Sequence, residues 1–130
     1  MSRILLDSCT LLWLELAPSR VPPALTAILA DRDNDVFVSA ASVWEIAIKW
    51  STGRLALPSD PSEFVMKLRV KSSLDSLVVD EASALQTARL PALHKDPFDR
   101  ILIAQAIEHG LAIATPDPLI RQYAVKTIWD

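Results

Sequence analysis

Short apolar runs recur along the chain, and most of them end at a polar or acidic residue. Such runs are found at residues 4–6, 36–38, 77–79 and 111–114, and a last segment at residues 125–129 is apolar except for Lys126 and Thr127. Runs of three to five apolar residues are typical of strands that are buried on both faces of a parallel sheet. The pattern therefore predicts five short strands, the first of which ends directly before Asp7.

Helical patterns separate these runs. Val43, Ile46, Ala47 and Trp50 share one helix face. Further helices are expected to begin at Asp60, Asp80, Asp96 and Asp117, with one or two more within residues 12–32 and with Gly53 and Gly110 as helix ends. Alternation of strands and helices predicts an α/β fold with a mainly parallel central sheet.

Composition narrows the class of protein. The chain has 130 residues, a net charge of −3, 51% hydrophobic residues and one cysteine. We expect a single domain over residues 1–130 without a disulfide framework or a multi-cysteine zinc site. No apolar run is long enough for a membrane span and no signal peptide is apparent, which favours a soluble cytoplasmic protein. The net negative charge argues against a broad basic surface that binds nucleic acid. It does not argue against a small site where a bound metal ion offsets the acidic residues.

Five acids project to the carboxyl edge of the predicted sheet. They are Asp7 and Asp117 after strands, and Glu45, Asp96 and Asp99 near helix starts. Ligands bind at this edge in α/β folds. Clustered carboxylates repel one another unless a cation relieves them, and they are the oxygen ligands that suit Mg²⁺ or Mn²⁺.

Most of these acids also have a structural alternative. Ser42 and Glu45 match a capping box, and Asp96 before Pro97 is an expected N-cap. Asp99 suits the dipole of the same helix, and Asp117 before Pro118 is a further candidate cap. Asp7 has no such explanation in the predicted elements, because a carboxylate directly after an apolar strand is costly to bury.

Four segments together resemble PIN-domain ribonucleases, and most closely the toxins of VapBC toxin–antitoxin pairs. They are residues 4–13, 39–49, 94–106 and 115–117, in the expected order and covering essentially the whole chain. The resemblance implies a three-layer α/β/α sandwich and a Mg²⁺- or Mn²⁺-dependent endoribonuclease that cleaves RNA phosphodiesters with a metal-activated water. It also implies a VapB-like antitoxin as partner.

The resemblance assigns roles to individual residues. Asp7, Glu45, Asp99 and Asp117 match the four catalytic and metal-binding acids, while Asp96, Ser8 and Thr115 match accessory positions. Arg100 is expected to face a phosphate or a neighbouring carboxylate. Two residues depart from the family pattern. Pro116 stiffens the loop between Thr115 and Asp117, and Cys9 is expected to be a small buried residue.

The sequence also allows other interpretations of the function and of individual side chains. A catalytically weak PIN-like module that mainly binds an antitoxin is the alternative, and exposed apolar residues would support a homodimer. A receiver domain or a haloacid-dehalogenase-like phosphatase is disfavoured, because Ser8 and Cys9 stand where a second acid is needed. Trp44 and Trp50 are expected to pack inside, with a partner-facing position as the alternative for Trp44. His94 and His109 are expected to be loop or surface residues. A local basic stretch is expected to be solvated, with RNA contact as its alternative; it consists of Lys67, Arg69 and Lys71.

Overall fold

Five parallel strands form one sheet in the computed structural model, which describes residues 1–130. The strands are β1 Arg3–Leu6, β2 Asp35–Ser39, β3 Asp75–Leu77, β4 Ala112–Ala114 and β5 Thr127–Ile128. The helices are α1 Ser8–Leu16, α2 Pro23–Ala30, α3 Ala40–Ser51, α4 Pro61–Lys71, α5 Glu81–Gln86 and α6 Pro97–His109. Short 3₁₀ turns lie at Pro18–Arg20, Thr87–Arg89 and Ile120–Gln122. The strand order is β3-β2-β1-β4-β5.

The sheet is covered on both faces, because successive side chains of β1 point into two different cores. Ile4 and Leu6 join a core with residues of α1, α2, α3 and α4, whereas Leu5 joins a second core built mainly on α6. All three side chains are fully buried. Burial of apolar surface on both faces is the main stabilising contribution to such a sheet. The result is the expected three-layer α/β/α sandwich.

The carboxyl edge of the sheet is centred on β1 and β4. These strands pair in parallel with Leu6 opposite Ala114, and the backbone N–H of Asp7 donates to the Ala114 carbonyl at 3.3 Å. Helices return antiparallel to the strands, so α6 begins at the same edge. Residues from positions 7, 99 and 117 of the chain therefore meet although they are distant in sequence.

The helix boundaries confirm most of the predicted starts. Asp60, Asp80 and Asp96 each accept a hydrogen bond from a backbone N–H of the first helical turn. Gly110 ends α6 with φ of 66°, a left-handed conformation that costs glycine little. The helix expected at Asp117 is only a 3₁₀ turn at Ile120–Gln122.

Three local predictions differ from the structure. The third strand lies two residues earlier than the apolar run that predicts it, and Val78 and Val79 are exposed. Trp50 is 41% exposed rather than part of the core, and it lies in the last turn of α3. The first helix begins at Ser8, before the predicted helical region 12–32. None of the helices is long and apolar enough to cross a membrane.

Candidate active site

Asp7 lies at the end of the central strand β1 and is also the N-cap of α1. Its Oδ1 accepts the backbone N–H of Thr10 at 2.7 Å, so the carboxylate that the predicted elements leave unexplained has a structural partner. The side chain is buried, with a residue exposure of 4%. Burial raises the pKa of Asp7, against hydrogen bonds from Thr10 and Thr115 that lower it, and the nearby charge of Asp117 raises it further.

Asp99 lies one turn into α6, where Asp96 organises the start of the helix. Asp96 Oδ1 accepts the backbone N–H groups of Phe98 at 2.9 Å and of Asp99 at 3.4 Å, so its predicted capping role is confirmed. Asp99 Oδ2 lies 2.7 Å from Nε2 of His94. Burial raises the pKa of Asp99 to about 6, although the hydrogen bond from His94 acts in the opposite direction.

Asp117 follows β4 on a short polar loop. The hydroxyl of Thr115, which is fully buried at the end of β4, accepts the backbone N–H of Asp117 at 3.0 Å. Asp117 Oδ1 accepts the N–H of Leu119 at 2.9 Å, which fixes the carboxylate in a local turn. Thr115 also lies close enough to Asp7 to lower the pKa of its carboxyl, so one buried threonine is next to both acids.

Three side chains of this edge approach closely enough to share one cation. A ligand atom from each of His94, Asp99 and Asp117 lies within 4.8 Å of the other two. Asp7 is close enough for its charge and that of Asp117 to act on each other. The sequence patterns do not reveal His94 as part of the site, since they predict only a loop or surface residue. It is indeed in a loop, but its ring faces the acids.

Glu45 stands apart from this group because its two carboxylate oxygens already have partners. Oε1 accepts the Ser8 hydroxyl at 2.6 Å, and Oε2 pairs with Nζ of Lys49 at 2.8 Å. The capping-box interpretation of Ser42 and Glu45 is wrong. The N-cap of α3 is Ser39, whose hydroxyl accepts the N–H of Ala41, so Glu45 lies inside the helix. The only signal in the sequence for the Lys49 pair is the i, i+4 spacing.

Arg100 does not face the acids, and this expectation is corrected. Its guanidinium donates to four backbone carbonyls and to the Tyr123 hydroxyl, at distances of 2.9 to 3.4 Å. The carbonyls belong to Thr87, Leu90, Pro91 and His94. With its donors engaged in this way, the side chain anchors the segment before α6 rather than binding phosphate.

An apolar groove adjoins the acids. Trp44 precedes Glu45 and is 63% exposed, contrary to the expectation that it packs inside; its ring meets Phe98, which precedes Asp99, edge to face at 5.3 Å. The groove has a volume of about 460 Å³. Its lining consists of Ala40, Ala41, Trp44, Val79, Pro97, Phe98 and Ile101. Not one of these side chains is charged.

The donor set fits a hard divalent cation. Asp99 Oδ1 and Asp117 Oδ2 make no hydrogen bond within the protein, so each carboxylate keeps one oxygen for another partner. Burial and mutual repulsion raise the pKa values of Asp7 and Asp99, which is the unfavourable state that a bound cation relieves. Oxygen ligands with one imidazole nearby suit Mg²⁺ or Mn²⁺ and do not form a closed zinc site.

The fold and this edge define a known class. Residues 4–126 match the model of the PIN domain. The chain therefore belongs to the PIN domain family.

Among curated proteins, the chain is similar to Ribonuclease VapC22 of Mycobacterium tuberculosis (strain ATCC 25618 / H37Rv). The two are 27% identical over 133 residues, which cover 99% of this chain and all of the relative. This similarity agrees with the likeness to VapC-type proteins expected from the sequence.

Solved structures share the architecture. A chain of VapBC2 from Rickettsia felis, bound to a DNA fragment from its promoter, superposes with a TM-score of 0.75 at 14% identity, over 98% of this chain and 99% of the other. DNA-bound VapBC from Salmonella typhimurium gives 0.68 at 15% identity, over 98% of each chain. FitAcB from Neisseria gonorrhoeae gives 0.62 at 24% identity, over 96% of each. At these identities the likeness shows the fold.

Proposed function

We propose that this chain is a Mg²⁺- or Mn²⁺-dependent endoribonuclease and the toxin of a type II toxin–antitoxin pair, acting in the cytoplasm as a single PIN-like domain. The observation that carries the proposal is the approach of Asp99 and Asp117 at the carboxyl edge of a PIN-domain sheet, with Asp7 close enough to Asp117 for the charges to interact. The similarity to a protein named ribonuclease supports RNA as the substrate.

The residues divide the work of the site. Asp99 and Asp117 would hold the ion through their free oxygens, with Asp7 beneath them and Glu45 as a further ligand once Lys49 withdraws. When bound, the ion offsets the charge that develops on the phosphate and activates a water for attack. Ser8 orients Glu45, and Thr115 holds the loop of Asp117 in place next to Asp7. Buried side chains fix these carboxylates before substrate arrives, which keeps reorganisation small.

Cleavage of RNA by the purified protein tests the proposal. We expect cleavage with Mg²⁺ or Mn²⁺, none in EDTA, and none by Asp7→Asn. Asp60→Asn is the matched control, because Asp60 is an exposed helix cap away from the site and Asn also caps well. Full activity of the wild-type protein in EDTA, or of Asp7→Asn with metal, would contradict the mechanism.

Expression in cells separates a nuclease from a passive antitoxin-binding module. We expect growth arrest on expression of the wild-type chain and normal growth with Asp99→Asn. Equal growth of the two strains would favour the catalytically weak alternative. Mapping of RNA ends after brief expression would then identify which RNA is cut.

We also propose a VapB-like antitoxin as the protein partner, with a basic residue reaching the acids. Support comes from the toxin–antitoxin complexes among the similar structures and from the unbalanced negative charge of Asp99 and Asp117. Coexpression with the product of a short adjacent reading frame should give a complex that no longer cleaves RNA. Binding should weaken in Asp117→Asn and at high salt; a complex indifferent to both would contradict contact with the acids.

We propose that a second copy of the chain covers the groove beside Trp44. Its uncharged lining suits neither phosphate nor a basic antitoxin segment, whereas exposed aromatic and aliphatic side chains suit a self-complementary contact. Two copies joined there would bring their acid edges side by side. Sedimentation should give a dimer for the wild-type chain and a monomer for Trp44→Glu, while Trp50→Glu should remain dimeric. A wild-type monomer would contradict the proposal.

A further inference from the structure

His94 makes a contact with the acid edge that the proposed chemistry does not use. Its Nε2 lies 2.7 Å from Asp99 Oδ2, and the two side chains are only 14% and 17% exposed. An ionised carboxylate only accepts hydrogen bonds, so Nε2 must carry the proton and donate it. The bond occupies one oxygen of Asp99 and leaves Oδ1 free.

The loop that carries His94 is held in place by the residue next to Asp99. Arg100 donates to the backbone carbonyl of His94 at 3.2 Å and to that of Pro91 at 2.9 Å. The segment between the 3₁₀ turn Thr87–Arg89 and α6 has no regular structure of its own, so these bonds set its path. One turn of α6 thus presents the acid and, through Arg100, fixes the imidazole that contacts it.

We propose that His94 is a positioning residue for Asp99. The imidazole holds Oδ2 of Asp99 by a hydrogen bond, and Oδ1 is thereby presented to the divalent cation. The inference rests on the proposed function, because it concerns the same ion. Metal-ligating carboxylates are commonly oriented by such outer partners, whose loss lowers metal affinity by roughly tenfold to a hundredfold. His94 touches neither substrate nor ion in this role.

Mn²⁺ binding to the purified protein without RNA tests this role directly. Two variants differ in the one property that matters: His94→Leu removes the donor, and His94→Gln keeps an N–H donor of comparable reach. Titration followed by the electron paramagnetic resonance signal of free Mn²⁺ should show about a tenfold loss of affinity for His94→Leu. His94→Gln should stay within about threefold of the wild type, because the amide restores the hydrogen bond.

The chain supplies a matched control on the same helix. His109, at the other end of α6, pairs with Asp80 at 2.9 Å, so His109→Leu removes a similar histidine–aspartate contact far from the acids. We expect Mn²⁺ affinity to be unchanged in His109→Leu. Thermal unfolding of all three variants without metal should show that each is folded.

Three results would overturn the proposal. Wild-type Mn²⁺ affinity in His94→Leu would show that the contact has no part in metal binding. Equal losses in His94→Leu and His109→Leu would show a general effect of perturbing α6. A loss in His94→Gln as large as in His94→Leu, and larger for Mn²⁺ than for Mg²⁺, would make the imidazole a direct ligand. If the wild-type chain itself binds no Mn²⁺ and cleaves no RNA, the proposed function fails instead.

Discussion

The acid edge has two parts that differ in how their negative charge is balanced. Glu45 has its own cation, Lys49 at 2.8 Å, and a hydroxyl donor from Ser8. Asp99 and Asp117 have no ion pair with any lysine or arginine, and Asp7 beside them is buried without one. One part is thus neutralised within the protein, and the other is the part for which we propose a cation from solution. In the proposed function Glu45 becomes a ligand only when Lys49 moves away.

The largest effect on RNA cleavage and metal binding should come from removing the charge of Asp99, which has no lysine or arginine partner. Asp99→Asn should lower RNA cleavage by roughly a hundredfold or more, the scale of losing one preorganised charge-stabilising group. It should also abolish measurable Mn²⁺ binding, whereas Glu45→Gln should lower Mn²⁺ affinity less, because Glu45 is already paired. Parallel Mn²⁺ titrations of the two variants check this. A greater loss of affinity in Glu45→Gln would reverse the assignment of the two parts.

The free energy of unfolding of the metal-free protein should fall as pH rises, because Asp99 loses its proton in this range. The pKa of Asp99 is raised to about 6 in the folded state, chiefly by burial, from 3.8 in the unfolded chain. The folded state therefore binds more protons between these values, and its stability is lost as pH rises from about 4 to 6. From pH 7 to pH 5 we expect a gain of about 1 kcal/mol from this group.

Urea unfolding at pH 5, 6 and 7 measures this dependence. Asp99→Asn should lack the contribution, and saturating Mn²⁺ should reverse the trend in the wild-type protein, because the ion competes with protons and binds the folded state. The same pH slope in the wild-type protein and in Asp99→Asn would show that Asp99 is not the group responsible.

A smaller effect on Mn²⁺ affinity is expected when Glu45 is released from its ion pair with Lys49. Lys49→Gln removes a positive charge and frees Glu45 Oε2, so Mn²⁺ affinity should rise by roughly fivefold, the equivalent of about 1 kcal/mol for one charge pair in water. Lys49→Arg retains the charge and should leave the affinity unchanged. If Lys49→Gln binds Mn²⁺ no better than Lys49→Arg, the ion pair does not compete with the metal.

The smallest expected effect concerns the reactivity of Cys9, whose thiol pKa depends on the charge of Asp7. Its thiol pKa is raised to about 11, first by burial and then by the charge of Asp7. Alkylation by iodoacetamide at pH 8.5 should be slow, because little thiolate is present. Saturating Mg²⁺ or Asp7→Asn should accelerate it modestly by lowering that pKa. A rate typical of an exposed thiol, unaffected by either change, would contradict this environment.

The amino-acid sequence is most informative where local pattern and burial agree. The apolar runs locate β1, β2 and β4, and the rule that helices return antiparallel to the strands suffices to place Asp7, Asp99 and Asp117 at one edge. Asp7 shows why a capping role and a ligand role do not exclude each other: one oxygen caps α1 while the carboxylate stays at the site. The same is true of Asp117, whose Oδ1 closes a turn and whose Oδ2 is free.

Features that the sequence does not predict depend on contacts between distant segments. His94 reaches Asp99 from an irregular loop whose backbone accepts a hydrogen bond from Arg100, and no periodic pattern encodes the path of that loop. The size of Trp44 alone favours an interior position, but its place on α3 turns it to the groove with Phe98. Ser42 resembles a cap because of its spacing to Glu45, but the helix begins directly after β2, and Ser39 is its N-cap.

The pairing of β1 with β4 has a consequence for the time at which the site comes into being. Ile4 pairs with Ala112, so β1, which is synthesised early, cannot form this part of the sheet until β4 has been synthesised. At about 5–20 residues per second, the interval between synthesis of Asp7 and of Asp117 is on the order of 5–20 s. Until then the acids belong to an open chain. The acid edge therefore assembles only after the roughly 110 residues between Asp7 and Asp117 have been synthesised.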